Sequence, residues 1–342
     1  MKNNLFTYST SELSQDAFIC WLASYALEGA KNDLALQSCA KEMIAMFAPE
    51  LCVQEYRLTE VEHQVHHVDV LLTVQASKGC YKIIVEDKTY TSEHDNQLNK
   101  YLEFIQKNNS SCLVRGVYYK TGFQSDMSAV EEAGYTIVTR QQILQLMEKY
   151  VPFTQNQIFL DYFEYWNDFQ KETELYSEKA VSEWNWKQVN GFYDHLKTSN
   201  FFGARNLWVG YGYVPNRSGG FYGLWAGKNN HQICVNGDLY ELYLQMETFV
   251  DGHSQAQICL KLSVKGSNED KSKIRTARDQ LIYTDNWVYA LGKYNFHKPA
   301  RLAIGQQMTI GIYNADLTDY DAVLAALDLA SRDYISLMKK LQ

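Results

Sequence analysis

The chain is short of proline, of paired cysteines, of positive charge and of long apolar runs. Only four of its 342 residues are proline, so Pro152 stands out as a boundary mark. No run of about 18 apolar residues exists, which excludes a helical membrane span. Nothing around Leu5–Tyr8 resembles a signal peptide, and a soluble, cytoplasmic protein is expected. The seven cysteines (Cys20, Cys39, Cys52, Cys80, Cys112, Cys234 and Cys259) contain no C-x-x-C pair. That pattern suits buried thiols in a reducing compartment better than disulfides or a zinc site. Lys and Arg number 32 against 40 Asp and Glu, a net charge of −8. A broadly basic nucleic-acid coat is thereby excluded, though a local basic cleft is not. Phosphate-loop glycines of the form G-x-x-x-x-G-K-[ST] are missing too, and Gly210-Tyr211-Gly212 and Gly219-Gly220 suit turns.

What is present is ample apolar material, 46 % of residues, enough for one large or two moderate domains. Periodicity predicts a helix over about 12–28, with Leu13, Ala17, Cys20, Trp21, Ser24 and Tyr25 recurring at helical spacing along its apolar stripe, a helix over 33–47, a strand over 52–59, and two apolar runs, Val68–Val74 and Tyr81–Val85, joined by the turn signal Ser77-Lys78-Gly79. A helix opening at the cap-like Ser92-Glu93-His94-Asp95, a strand over 112–119, a short helix near 129–133, a strand over 135–138 and a helix over 141–150 follow. The order α-α-β-β-β-α-β-α-β-α describes a mixed α/β (α+β) domain with helices around a sheet. Beyond Pro152, aromatic-rich helices over 158–169 and 181–196 read as a connector. From Asn206, short Tyr-, Trp- and Gly-rich runs predict an antiparallel sheet, with helices over 271–283 and 320–341. The expected division is 1–150, 151–200 and 201–342.

Charge stands where a buried hairpin should have none. Asp69 interrupts the first apolar run, and Glu86-Asp87-Lys88 closes the second. Strand alternation points Glu86 and Lys88 one way and Asp87 the other, and an antiparallel register about the turn sets Asp69 opposite Glu86. Two carboxylates and an ammonium then converge. All-oxygen ligands favour Mg²⁺ or Mn²⁺ over Zn²⁺, so Asp69 and Glu86 are the candidate metal ligands. Such an ion could polarise a phosphodiester, with Lys88 orienting water or stabilising the phosphorane.

This D…E-x-K arrangement resembles the PD-(D/E)XK nuclease superfamily, with Val68 where the naming proline would stand. Gln97 and Tyr101 match the Q-x-x-x-Y motif of a RecB-like branch and share one helical face. The stretch Ser11-Glu12-Leu13-Ser14-Gln15-Asp16-Ala17-Phe18 is similar to the first helix of a bacterial branch in which that helix lends an acid to the site. Glu12 is the matching candidate, and Asp16 stands in reserve. The resemblance covers about 5–150. It implies a restriction-endonuclease-like core and a Mg²⁺-dependent deoxyribonuclease, with an inactive nuclease fold that binds nucleic acid or protein as the alternative. RNA as substrate, or a partner protein directing the cut, stays open.

An E-x-K triplet alone also fits a strand ending at a solvent edge; Asp69, Gln97 and Tyr101 together tip the balance towards a site. His66 and His67 read as rim residues, and His94 and Asp95 as solvated residues of a first helical turn. One basic patch stands against the acidic background: Lys261, Lys265, Lys271, Lys273, Arg275 and Arg278. A solvated helix face and a phosphate-contacting DNA surface both fit it.

Overall fold

A computed structural model of the chain describes residues 3–9, 11–30, 32–51, 55–216, 219–235, 237–263, 271–283, 292–302 and 306–341. It falls into two compact units, Met1–Lys171 and Glu172–Gln342. The stretch expected as a connector is thus shared between them.

The first unit opens with helices α1 (Glu12–Ala23) and α2 (Leu34–Phe47). Strands β1 (Tyr56–Val65), β2 (Val68–Ala76) and β3 (Gly79–Lys88) follow as an antiparallel meander. Helix α3 (Gln97–Asn108) crosses over to β4 (Cys112–Lys120), and α4 (Ser128–Glu132) to β5 (Thr136–Thr139), both strands running parallel to β3. Helices α5 (Arg140–Glu148) and α6 (Gln157–Glu174) follow. Among the described residues the sheet has five strands in the order β1-β2-β3-β4-β5, so β3 is central. A central strand is covered on both faces, which is why Tyr81, Ile83, Ile84 and Val85 are all buried. Leu71 and Ile84 pack with Leu98 and Ile105 of α3. Each such side chain contributes about 1.5–3 kcal/mol by leaving water.

The element order is the one expected, with local departures. Helix α3 starts at Gln97 rather than in the Ser92 stretch, because Asp95 and Asn96 both take left-handed backbone (φ 52° and 57°) that no helix can include. His94 and Asp95 therefore precede the helix. On α1 the buried residues are Gln15, Asp16, Phe18, Ile19, Leu22 and Ala23, while Leu13, expected in the apolar stripe, is exposed.

The second unit contains α7 (Trp186–Thr198), β6 (Val209–Val214), β7 (Phe221–Ala226), β8 (Gln232–Val235), β9 (Asp238–Phe249), β10 (Gln255–Ser263), α8 (Lys271–Tyr283), β11 (Phe296–His297), β12 (Gln307–Tyr313) and α9 (Tyr320–Leu341). Its strands form an antiparallel sheet, β11-β12-β10-β9-β7-β6, with β8 also on β9. One face of β9 meets the helices: Tyr334 of α9 donates to the Leu242 carbonyl at 2.6 Å, and the hydroxyls of Tyr193 (α7) and Thr248 lie 2.7 Å apart. Among the described residues no helix is long and apolar enough to cross a membrane.

Two of the cysteines are not thiols. Cys80 and Cys112 form a disulfide, because the parallel β3–β4 ladder makes them direct partners with Cα atoms 4.6 Å apart. Cys39 and Cys259 are the buried thiols expected, and burial pushes both up to about 12; Cys52 lies outside the described residues. Closing a loop of 32 residues constrains the unfolded chain by roughly 3–4 kcal/mol. The double variant Cys80→Ser/Cys112→Ser should lose about that much in urea unfolding; equal stability with and without the bond would contradict the link.

Candidate active site

The site is the C-terminal end of β3, where Glu86, Asp87 and Lys88 are all buried. Burying three ionisable groups in succession is costly unless each finds partners. The two faces of the strand supply different ones.

On the α3 face, the β2–β3 register runs to Val70↔Val85, and one further step sets Asp69 across from Glu86. Lys88 donates to Glu86 Oε1 at 2.5 Å and lies 3.9 Å from Asp69 Oδ2. Gln97, the first residue of α3, also donates to Glu86 Oε1. Asp69 Oδ2 accepts the Asp87 backbone N–H at 2.9 Å, which fixes the carboxylate across the strand pair. The second oxygen of Glu86, Oε2, is buried without a hydrogen-bond partner. Burial first, and Asp69 next, push Glu86 up to about 7 despite Lys88 and Gln97. For Lys88, burial acts downward, but Glu86, Asp69 and Glu12 outweigh it and hold the ammonium above its ordinary value. Tyr101, one turn along α3 from Gln97, is raised by burial and by the neighbouring carboxylates.

On the α1 face, Asp87 is wholly buried and accepts from Gln15. Gln15 is held by the hydroxyls of Thr121 (3.1 Å) and Tyr162 (3.2 Å). Burial, then Asp16, raises Asp87 well above the carboxylate range. Asp16 is raised in turn by burial and by Asp69, and Gln64 bridges the two, donating to Asp16 at 2.8 Å and to Asp69 at 3.2 Å. Glu12 accepts the Thr89 N–H at 2.9 Å and the Thr91 hydroxyl at 2.8 Å, fastening the segment that leaves β3. Although burial opposes it, these bonds and Lys88 hold Glu12 below its ordinary value. Lys120, the ladder partner of Lys88, donates to the Thr91 carbonyl, and burial lowers it to about 8. Thr121, next in the chain, is followed by Gly122, where a Cβ would overlap the Thr89 carbonyl oxygen.

Asp69, Glu86, Lys88 and Gln97 are thus brought together, with Tyr101 beside them. Of the two α1 acids, Asp16 is the one sharing a partner with Asp69, and Glu12 is engaged by the loop. Gln15, Gln64, Asp87 and Lys120 were missed as site residues. Gln15 had a legible signal, a polar residue in line with Phe18, Ile19 and Leu22 at helical spacing.

The six basic residues do not form one exposed face. Lys261 is buried against Glu247 (2.5 Å) and Thr309 (2.7 Å), and Arg278 is buried with Asp279 at 2.7 Å. Lys273 and Arg275 are exposed on α8, Lys271 is the first residue of α8, and Lys265 lies outside the described residues.

A central mixed sheet, helices on both faces and acids with a lysine at the end of β3 define a restriction-endonuclease-like core. Residues 8–167 match the family model of the PD-(D/E)XK nuclease superfamily, a match that supports membership of that superfamily. Searches of curated proteins and of solved structures found no match. Nucleases of this superfamily typically use divalent metals.

The residues here fit such an ion. Glu86 Oε2 is a buried oxygen with no partner, and Asp69 and Glu86 offer hard oxygen donors. Among the described residues no group of three or more His, Cys, Asp or Glu is placed to hold a metal. Two carboxylates suffice for Mg²⁺, which keeps several of its waters.

A carboxyl with a raised pKa keeps its proton in the folded chain after the unfolded chain has released it. Between the ordinary 4.5 and about 7, folded Glu86 binds more protons than unfolded Glu86, so its contribution to stability falls as pH rises through that window. In EDTA, the melting temperature should therefore decline from about pH 5 to about pH 8, and Glu86→Gln should flatten the decline. A wild-type profile that Glu86→Gln leaves unchanged would contradict the assignment.

Proposed function

We propose that the chain is a divalent-cation-dependent deoxyribonuclease, hydrolysing DNA phosphodiesters at the end of β3. The observation that carries this reading is the convergence of Asp69, Glu86 and Lys88, with one buried Glu86 oxygen left without a partner.

Asp69 and Glu86 would hold Mg²⁺ or Mn²⁺. When bound, the ion supplies Lewis-acid polarisation of the phosphodiester and acidifies water. The remaining work belongs to the chain. Asp69 is oriented by the Asp87 N–H and Gln64, and Glu86 by Gln97, so the carboxylates need little reorganisation when substrate arrives. Lys88 stays protonated, so its ammonium can orient the attacking water and offset the negative charge that builds on the non-bridging oxygens of the phosphorane as the leaving oxygen departs. Glu12, through Thr89 and Thr91, holds the chain leaving β3 in place. Tyr101 borders the site on the α3 side.

The test is cleavage of linear, circular and single-stranded DNA with Mg²⁺ or Mn²⁺. Lys88→Ala should reduce the rate on the order of 10²-fold or more, and Glu86→Ala should abolish it, both with unchanged circular dichroism. Wild-type protein that leaves all three DNAs intact would overturn the catalytic reading in favour of an inactive nuclease fold serving as a binding module. Cleavage that survives both substitutions would mean the activity belongs to another protein.

A further inference from the structure

A groove opens beside the carboxylates, between the β1–β2 turn and the outer face of α3. Gln97, Lys100, Tyr101 and Phe104 line one side at helical spacing i, i+3, i+4 and i+7, and His66 and His67 of the turn line the other. His94 and Asp95 also border it.

Three features are hard to explain as packing alone. Phe104 is 44 % exposed, although Leu98 and Ile105 of the same helix are buried; its ring meets His66 with centroids 5.1 Å apart. The two-residue turn places both His66 (φ 54°) and His67 (φ 68°) in left-handed backbone. Asn-Gly is favoured at such a turn, so two histidines there mark a position held for another reason. Gln97, only 8 % exposed, gives its amide N–H to Glu86, and its carbonyl oxygen has no partner.

We propose that this groove is a subsite for an unpaired nucleotide, so that the adjacent centre acts on single-stranded segments or frayed ends. The proposal rests on the nuclease reading of that centre. An exposed ring face can stack only on a base that has left the duplex, and Phe104 with His66 offers such a platform. The lining's hydrogen-bonding groups suit the same occupant. Lys100 can meet a phosphate, and His66, His67 and His94 bring ring nitrogens to the groove. The Gln97 carbonyl oxygen awaits a donor, which the exocyclic amine of a base or a sugar hydroxyl supplies. Since the same amide holds Glu86, occupancy of the groove and alignment of the carboxylate share one side chain.

The experiment is fluorescence anisotropy in EDTA with a labelled single-stranded DNA oligonucleotide of mixed sequence and the same sequence as a blunt duplex. Single strand should bind more tightly. Phe104→Ala should weaken single-strand binding roughly 5- to 100-fold and leave duplex binding unchanged, while Phe104→Trp retains it. His66→Asn/His67→Gly should melt no lower than wild type and yet bind the single strand more weakly, which separates recognition from folding. Phe104→Ala binding the single strand as tightly as wild type, or a wild-type preference for duplex, would overturn the proposal. Parallel cleavage with Mn²⁺ distinguishes the two ideas. Wild type that cuts, with Phe104→Ala showing the same KM on single strands, sinks the groove and keeps the nuclease. Phe104-dependent binding without cleavage sinks the nuclease and keeps the groove.

Discussion

The first unit depends on one constraint: the central strand of its sheet ends in three consecutive ionisable residues, all buried. Glu86, Asp87 and Lys88 cannot be solvated where they lie, so structure on both faces has to answer them. On one face Lys88 and Gln97 converge on a single Glu86 oxygen, which sets the first residue of α3 against the strand end. On the other, Gln15 is buried in α1 because Asp87 needs a donor, and Thr121 and Tyr162 are drawn in to hold Gln15. The Asp87 N–H reaches across to Asp69 and ties the two acid-bearing strands together.

The same constraint leaves the strand end with more acids than bases. One ammonium meets two carboxylates on the α3 face, and the Asp16–Asp87 pair on the other face has no lysine salt bridge among the described residues. Raised pKa values for Glu86, Asp16 and Asp87 follow from burial together with acid beside acid. A site left with surplus negative charge and a buried oxygen without a partner is suited to gaining a cation, and perturbed groups of this kind are characteristic of working sites.

Much of this was legible in the residues themselves. Asp69 within an apolar run and E-x-K at the end of the next mark the hairpin, because strand alternation and the Ser77-Lys78 turn fix which side chains meet. The helix order followed from periodicity in the same way. What could not be read depends on partners distant in sequence. Cys80 and Cys112 become neighbours only once the crossover makes β3 and β4 parallel, and Lys120 becomes a neighbour of Lys88 by the same register. The buried face of α1 differs from the one that hydrophobic spacing predicts: that spacing places Leu13 inside, whereas the demand of Asp87 turns Gln15 and Asp16 inward. The basic patch looked continuous in sequence, yet β10 and α8 turn Lys261 and Arg278 into the interior of the second unit, each beside an acid.

The central claim is that Asp69 and Glu86 together form a divalent-cation site. Calorimetric titration of the metal-free protein with Mn²⁺ tests it most directly. The account predicts saturable binding that releases protons near neutral pH, is lost in Asp69→Asn and Glu86→Gln, and survives in Tyr101→Phe. Absence of binding by the wild type, or binding that persists undiminished in both carboxylate variants, would contradict it.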